Sequence, residues 1–229
     1  MSAIDPLSDD KIIESWNRNA APWTDAVRES RIETRKLVTN RAIVDAVMSR
    51  APGSALDIGC GEGWLARELA GRGVNVTGVD VVPELIDRAA GAGGGSFVVA
   101  SYEEIAAGKL QTKVDVAVAN FALIGKESVD GLVASVPSML NEGGAFIVQT
   151  LHPVSAGGDE PYRSGWRKGS WAGFSDDFTD PAPWYFRTIE SWVALINESG
   201  MQLLELREPL HPESGKPASL ILIAEPLRR

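Results

Sequence analysis

The feature that most constrains this chain is an alternation between short, wholly apolar runs and longer amphipathic stretches. "ALDIG" (55–59) leads into the helical pattern "GWLARELAGRG", and "VNVTGVD" (74–80) into "PELIDRAAGAG". "SFVVA" (96–100) and "VDVAVAN" (114–120) follow, then "SVDGLVASVPSML" and "AFIVQTL" (145–151). A strand with one wet face alternates apolar and polar residues, whereas a strand covered on both faces reads as an unbroken apolar run. Such runs separated by helical stretches predict a parallel sheet with right-handed crossovers and helices on both faces, an α/β fold. The punctuation agrees: Pro52 and Gly53 stop one helical region, Pro83 opens another helix, and "NEGG" (141–144) ends a third.

Two stretches stand outside this rhythm. Residues 9–50 read as a helical N-terminal cap (1–50) in two pieces parted by Pro22, the second carrying Ile32, Leu37, Val38, Ile43, Val44 and Val47 at helical intervals. Residues 152–187 show no helical or strand period and are too long for a plain connector, a length that usually marks a functional loop. Their aromatic residues argue against disorder and suggest a lid. A helix in "TIESWVALINESG" and strands in "MQLLELREPL" and "PASLILIAEP" then complete one domain over 1–229.

Composition narrows the class. A net charge of −9 argues against a nucleic-acid partner, which needs a basic surface to neutralise phosphates. One cysteine, Cys60, cannot form an intramolecular disulfide, and two histidines with it make no metal constellation. The N-terminus has no basic-then-apolar leader, and no apolar run reaches the roughly 18 residues of a membrane span, so the expected location is the cytoplasm, away from membranes.

The chemistry concentrates in "GCGEG", with Gly59, Gly61 and Gly63 directly after the first strand. Glycine accepts φ > 0 and lets a ligand approach bare backbone. In doubly wound sheets the first such turn is the usual nucleotide site, although a ligand-free tight turn also uses glycine. Asp80 closes the second strand about twenty positions on, where a carboxylate accepts hydrogen bonds from ribose hydroxyls. Together they point to an adenosine ligand. A dinucleotide would set its pyrophosphate against the helix N-terminus, where this chain places Glu62. A phosphate-free adenosine with a cationic centre is the better electrostatic match.

The stretch "LDIGCGEGWLARELAGRGVNVTGVDVVPELIDRA" (56–89) closely resembles the first motifs of class I S-adenosylmethionine-dependent methyltransferases. The resemblance continues through "FVVASYEEI" and "VDVAVANFALIG" to the strand at 145–151. "PWYFRTIESWVALINESGMQLLELREPL" is similar to the last helix and hairpin of small-molecule members, including quinone-biosynthesis methyltransferases. The resemblance implies a Rossmann-like, doubly wound seven-stranded sheet in the order 3-2-1-4-5-7-6 with its last strand antiparallel. It also implies S-adenosylmethionine as cofactor and methyl transfer to a small-molecule acceptor by in-line displacement.

Residue by residue, it implies that Gly59 and Gly61 clear the backbone for the methionine part, Asp57 organises its amino group, Asp80 holds the ribose and Val81 packs on adenine. Ser101 and Tyr102 stand where the family commonly has an aspartate for the adenine amino group. Asn120, Phe121 and Ala122 would line the wall near the sulfonium. Trp23 and Arg35 of the cap are further candidates, since a guanidinium matches the cofactor carboxylate; Arg35 is equally readable as one solvated charge among many. His152, following the fifth strand, is the candidate general base, or else merely orders the His-Pro turn. Tyr162, Trp166, Trp171, Phe174, Trp184, Tyr185 and Phe186 would enclose a planar or cationic acceptor, or else form the insertion's own small core or a dimer contact; Arg163, Arg167 and Lys168 are readers of an acidic acceptor or simply solvated charges. The competing readings are an NAD-linked oxidoreductase, disfavoured by the glycine spacing, and a non-catalytic S-adenosylmethionine-binding protein.

Overall fold

The computed structural model describes residues 4–227; the first three and last two positions of the expected domain lie outside the described residues. Helix α1 (Asp9–Arg28) is followed by a second helical segment over 33–48, which contains a π turn (Arg35–Thr39) and continues as α2 (Asn40–Met48). The alternation then runs β1 (Ser54–Ile58), α3 (Trp64–Ala70), β2 (Asn75–Asp80), α4 (Pro83–Ala92), β3 (Ser96–Val99), α5 (Tyr102–Ala106), β4 (Val114–Asn120), α6 (Glu127–Met139) and β5 (Leu140–Thr150). After the short α7 (Pro153–Ala156), strands β6 (Gly165–Arg167) and β7 (Trp184–Phe186) form a separate two-stranded ribbon. Helix α8 (Ile189–Glu198) and strands β8 (Met201–Arg207) and β9 (Leu220–Pro226) close the chain.

The main sheet has the order β3-β2-β1-β4-β5-β9-β8. Strands β1 to β5 are parallel, and β9 runs antiparallel to both its neighbours. Setting the ribbon aside, this is the 3-2-1-4-5-7-6 order expected. The unbroken apolar runs are explained by the layers. Leu56, Ala117, Phe146 and Leu222 point to one face, under α5, α6 and α8. Their chain neighbours Ala55, Val116, Ile147 and Ile221 point to the other, under α2 and α3. A smaller cluster joins Ala20 of α1 to Val82 and Leu85 at the start of α4, with Trp16 and Trp23 against it.

Three local expectations are corrected. Pro22 does not divide the cap; it lies inside α1. The carbonyl it deprives of a helical donor belongs to Arg18, an exposed residue that water can serve, while Asn19, Ala20 and Thr24 hold the helix down by burial. "NEGG" does not end a helix before a strand but belongs to β5, which begins at Leu140 and shifts register against β4 between Val114 and Val116. The insertion, without visible period, contains α7 and the β6–β7 ribbon. No helix among the described residues is long and apolar enough to cross a membrane.

Candidate functional site

The C-terminal ends of β1, β2 and β4 meet where the strand order reverses, the place at which open α/β sheets bind ligands. A cavity opens there, lined by α1, the glycine loop after β1, the end of β2 and the loops after β3 and β4.

All three loop glycines are left-handed, with φ of +69° at Gly59, +56° at Gly61 and +84° at Gly63, a backbone that only glycine adopts without strain. They differ in what a side chain would meet. At Gly59 a Cβ would collide with Ala122 Cβ and come within 3.0 Å of the Tyr102 hydroxyl. Gly59 therefore lets the loops after β1 and β4 close on each other, and the space above it belongs to the protein. At Gly63 a Cβ would press on Ala89 and Phe97. Only Gly61 is open on its side-chain side, facing the Trp23 indole nitrogen at 3.5 Å.

Asp80 ties the loop to the second strand. Its Oδ2 accepts from Gly61 N and its Oδ1 from Val82 N, both at 2.9 Å, and it lines the cavity beside Val81. Burial pushes its carboxyl above the ordinary value, against the pull of those N–H groups. Asp57 and Arg35 do not line the cavity; they lie deeper. Asp57 is buried with Oδ2 unpartnered. Burial first, and Asp80 second, push its pKa up to about 7. Arg35 is buried between the rings of Trp64 and Trp23, 4.7 and 5.6 Å from their centroids. Its Nε donates to Asn40 Oδ1 and one terminal nitrogen has no partner. Burial lowers its pKa to about 10, with Glu62 and Asp57 opposing. It is not a solvated surface charge.

On the far wall Asn120, Phe121 and Ala122 all line the cavity. Asn120 Oδ1 is buried without a partner. Phe121 has φ of +55°, an outlier for a bulky residue and the kind of strain that gathers at functional sites. Tyr102 donates its hydroxyl to Ala122 O at 3.2 Å. Burial, with Asp80 and Cys60 close by, pushes that phenol upward, so it stays neutral. Ser101 lines the cavity, but its hydroxyl accepts from Glu104 N while Glu104 accepts from Ser101 N, a capping box for α5. The acid that reaches the cavity after β3 is Glu103. The S-x-x-E spacing in "SYEE" was the signal that the serine would be spent on capping.

Other expectations are redirected. His152 does not line the cavity. It sits at the N-cap position of α7 without a side-chain capping bond, and its Nε2 lies 2.7 Å from Oε1 of Glu208, just after β8, with Nδ1 buried and unpartnered. The insertion's aromatic residues do not line the cavity either. Trp171 and Phe174 stack on the outer side of Trp16 and Trp23, which do. Helix α1 is the cover and the insertion is its backing. Arg167 is buried under the ribbon, donating to the carbonyls of Gly157 and Pro161 with its guanidinium 3.6 Å from the Phe186 ring centroid. Sequence reasoning missed Asp9, Ile12, Ile13, Ile124, Gly125 and Ser128, which form the cavity's outer half. The apolar face of α1 was a sequence signal for Ile12 and Ile13; Asp9, Ile124, Gly125 and Ser128 left none. No group of three or more metal-ligating side chains occurs among the described residues.

Residues 31–206 match the family model described as a methyltransferase domain. The chain belongs to this family and, with its sheet order and cavity, to the class I S-adenosylmethionine-dependent methyltransferases. It is 28% identical over 151 residues to a ubiquinone biosynthesis O-methyltransferase of Cupriavidus pinatubonensis, covering 64% of this chain and 61% of that protein. The chain thus spans between about half and three-fifths of the length of the curated relatives it matches. An S-adenosylmethionine-dependent methyltransferase from Mesorhizobium loti superposes with a TM-score of 0.61 at 23% identity, over 80% of this chain and 95% of that one. The glycopeptide N-methyltransferase MtfA, complexed with S-adenosylmethionine, gives 0.62 at 16% identity over 82% and 87%. The NAD-linked alternative is set aside.

Proposed function

We propose that the chain transfers a methyl group from S-adenosylmethionine to a small-molecule acceptor beneath α1. The observation that carries this reading is a pair of buried, oppositely charged side chains beside the glycine loop, each with one polar atom left without a partner. A free guanidinium nitrogen on Arg35 and a free carboxylate oxygen on Asp57 suit a zwitterionic amino-acid group, and an uncompensated buried charge is costly without one. Asp80 keeps lone pairs for the ribose after serving Gly61 and Val82. Val81, Leu85, Glu103 and the Tyr102 ring form the adenine end, and Trp23 and open Gly61 flank the path of the methionine part.

When bound, the cofactor supplies a methyl group activated on a sulfonium. The protein's task is alignment and exclusion of water. Phe121 and Asn120 border the reacting end, and the Trp16–Trp23 face of α1 closes it. The names of the relatives, a ubiquinone biosynthesis O-methyltransferase and a glycopeptide N-methyltransferase, support acceptors other than nucleic acid. We further propose a cytoplasmic location.

Calorimetric titration with S-adenosylmethionine, S-adenosylhomocysteine and NAD tests the reading. Micromolar binding of the first two and none of NAD is expected. Binding of NAD alone, or of nothing, overturns it.

A further inference from the structure

We propose that the outer half of the cavity selects an acceptor that carries no negative charge and presents an N–H or O–H donor to Asp9. The inference rests on the methyl-transfer reading and deepens it. Asp9, in the first turn of α1, reaches the N-terminus of α6: its Oδ1 accepts from Lys126 N at 2.8 Å and its Oδ2 from Ser128 N at 2.7 Å. Gly125 makes room for it, because a Cβ there would fall 2.6 Å from Asp9 Oδ1. The start of α6 would otherwise be a ready anion site; Asp9 fills it with the protein's own carboxylate.

A carboxylate offers about four lone-pair positions, and the two backbone donors leave the others for the cavity that Asp9 lines. Asn120 Oδ1, unpartnered on the same cavity, is a second acceptor. Apart from Ser128, the remaining walls are apolar: Ile12, Ile13, Trp16, Phe121 and Ile124.

Among the described residues, no lysine, arginine or histidine lines this cavity. The cations nearby are engaged elsewhere. Lys11 and Arg18 pair with Glu14 and Asp180, Lys126 and Arg187 with Asp130. An anionic acceptor would have to enter a largely apolar chamber against a fixed carboxylate, with no cationic side chain on its lining to compensate its lost hydration. A hydroxyl or amine meets hydrogen-bond acceptors already in place.

Three probes that share one dihydroxyphenyl ring separate the cases: dopamine (cationic), catechol (neutral) and 3,4-dihydroxybenzoate (anionic). Each is titrated calorimetrically into the full chain saturated with S-adenosylhomocysteine. Dopamine and catechol are expected to bind at least about tenfold more tightly than the benzoate, the scale of one charge-assisted hydrogen bond gained or lost. Asp9→Asn should bring the benzoate towards catechol. Gly125→Ala, which displaces the carboxylate without removing it, should do the same, and it stands in if Asp9→Asn does not fold. Equal or tighter binding of the benzoate overturns the proposal, as does an unchanged ranking in both variants. Failure of all three probes at millimolar concentration, with S-adenosylhomocysteine still bound, also overturns it while leaving the cofactor reading standing. Failure of S-adenosylhomocysteine itself to bind overturns the methyl-transfer reading and this proposal with it.

Discussion

The two walls of the cavity are built by different means. On the sheet side, the hydrogen bonds that shape the glycine loop are local: Gly59 N and Cys60 N donate to Val79 O, and Asp80 holds Gly61 and Val82, positions within about twenty residues of one another. On the cover side, every clip is long-range. Asn19 Nδ2 donates to Thr179 O at 2.7 Å while Thr179 N donates to Asn19 Oδ1 at 2.9 Å, residues 160 apart in sequence. Ser15 donates to Asp180 O, and Asp9 reaches Ser128 across 119 positions. The sheet-side wall is part of the sheet's own core, whereas the cover depends on a few side-chain clips and the aromatic stack of Trp16, Trp171, Phe174 and Phe178. A wall made of turns is set by its own sequence; a wall made of clips exists only once the chain has folded around it.

The sharpest way to break this contrast is at Gly59. Alanine there meets both a left-handed backbone and Ala122 Cβ, and about 3 kcal/mol of global stability should be lost in urea denaturation. Ala122→Gly in the same chain should restore part of it. If Gly59→Ala folds normally, the sheet-side wall is softer than its geometry implies.

Asp80→Ala should cost S-adenosylhomocysteine about a hundredfold in calorimetric affinity, the scale of two charge-assisted hydrogen bonds. Next comes pH. Asp57 titrates at about 7 when folded against an ordinary 3.8. The folded state therefore keeps a proton that the unfolded chain has released. From this group, stability of the free protein falls as pH rises from about 4 to about 7. A bound ammonium favours the ionised form, so affinity for S-adenosylhomocysteine should rise by up to about tenfold per pH unit below 7 and level off above it. Asp57→Asn should flatten that profile.

The smallest effect is expected in the cover. Asn19→Ala should weaken it locally by about 1 kcal/mol, seen as faster amide exchange at Thr179 and Asp180 with the global melt nearly unmoved. A large loss of global stability would instead merge the cover with the core.

The same contrast explains what could be read from the sequence. Strand order, the glycine loop and Asp80 were legible because parallel strands buried on both faces and turns that need φ > 0 leave local marks. Ser101 lines the cavity as expected, but its hydroxyl serves the capping box with Glu104, and the acid beside it on the cavity is Glu103. Asp9 was invisible, since nothing near it in the chain foretells Gly125 and Ser128. Pro22 misled because a proline inside a helix is tolerated only by tertiary burial. His152 follows the fifth strand as read, but its ring turns to Glu208, a partner 56 positions on, just after β8.

One further consequence follows from the π turn at Arg35–Thr39, where Asn40 N donates to Arg35 O. Such a turn is an α-helix holding one residue too many, so the segment before it is out of phase with α2 by about 100°, the angle of one helical residue. Arg35 is the first residue of this turn, and its guanidinium lies between Trp23 and Trp64. Deleting a single residue from this turn would leave the sheet and the glycine loop intact. It would re-phase the cap, rotating the guanidinium out of its slot, and separate a chain that folds from a chain that holds its ligand.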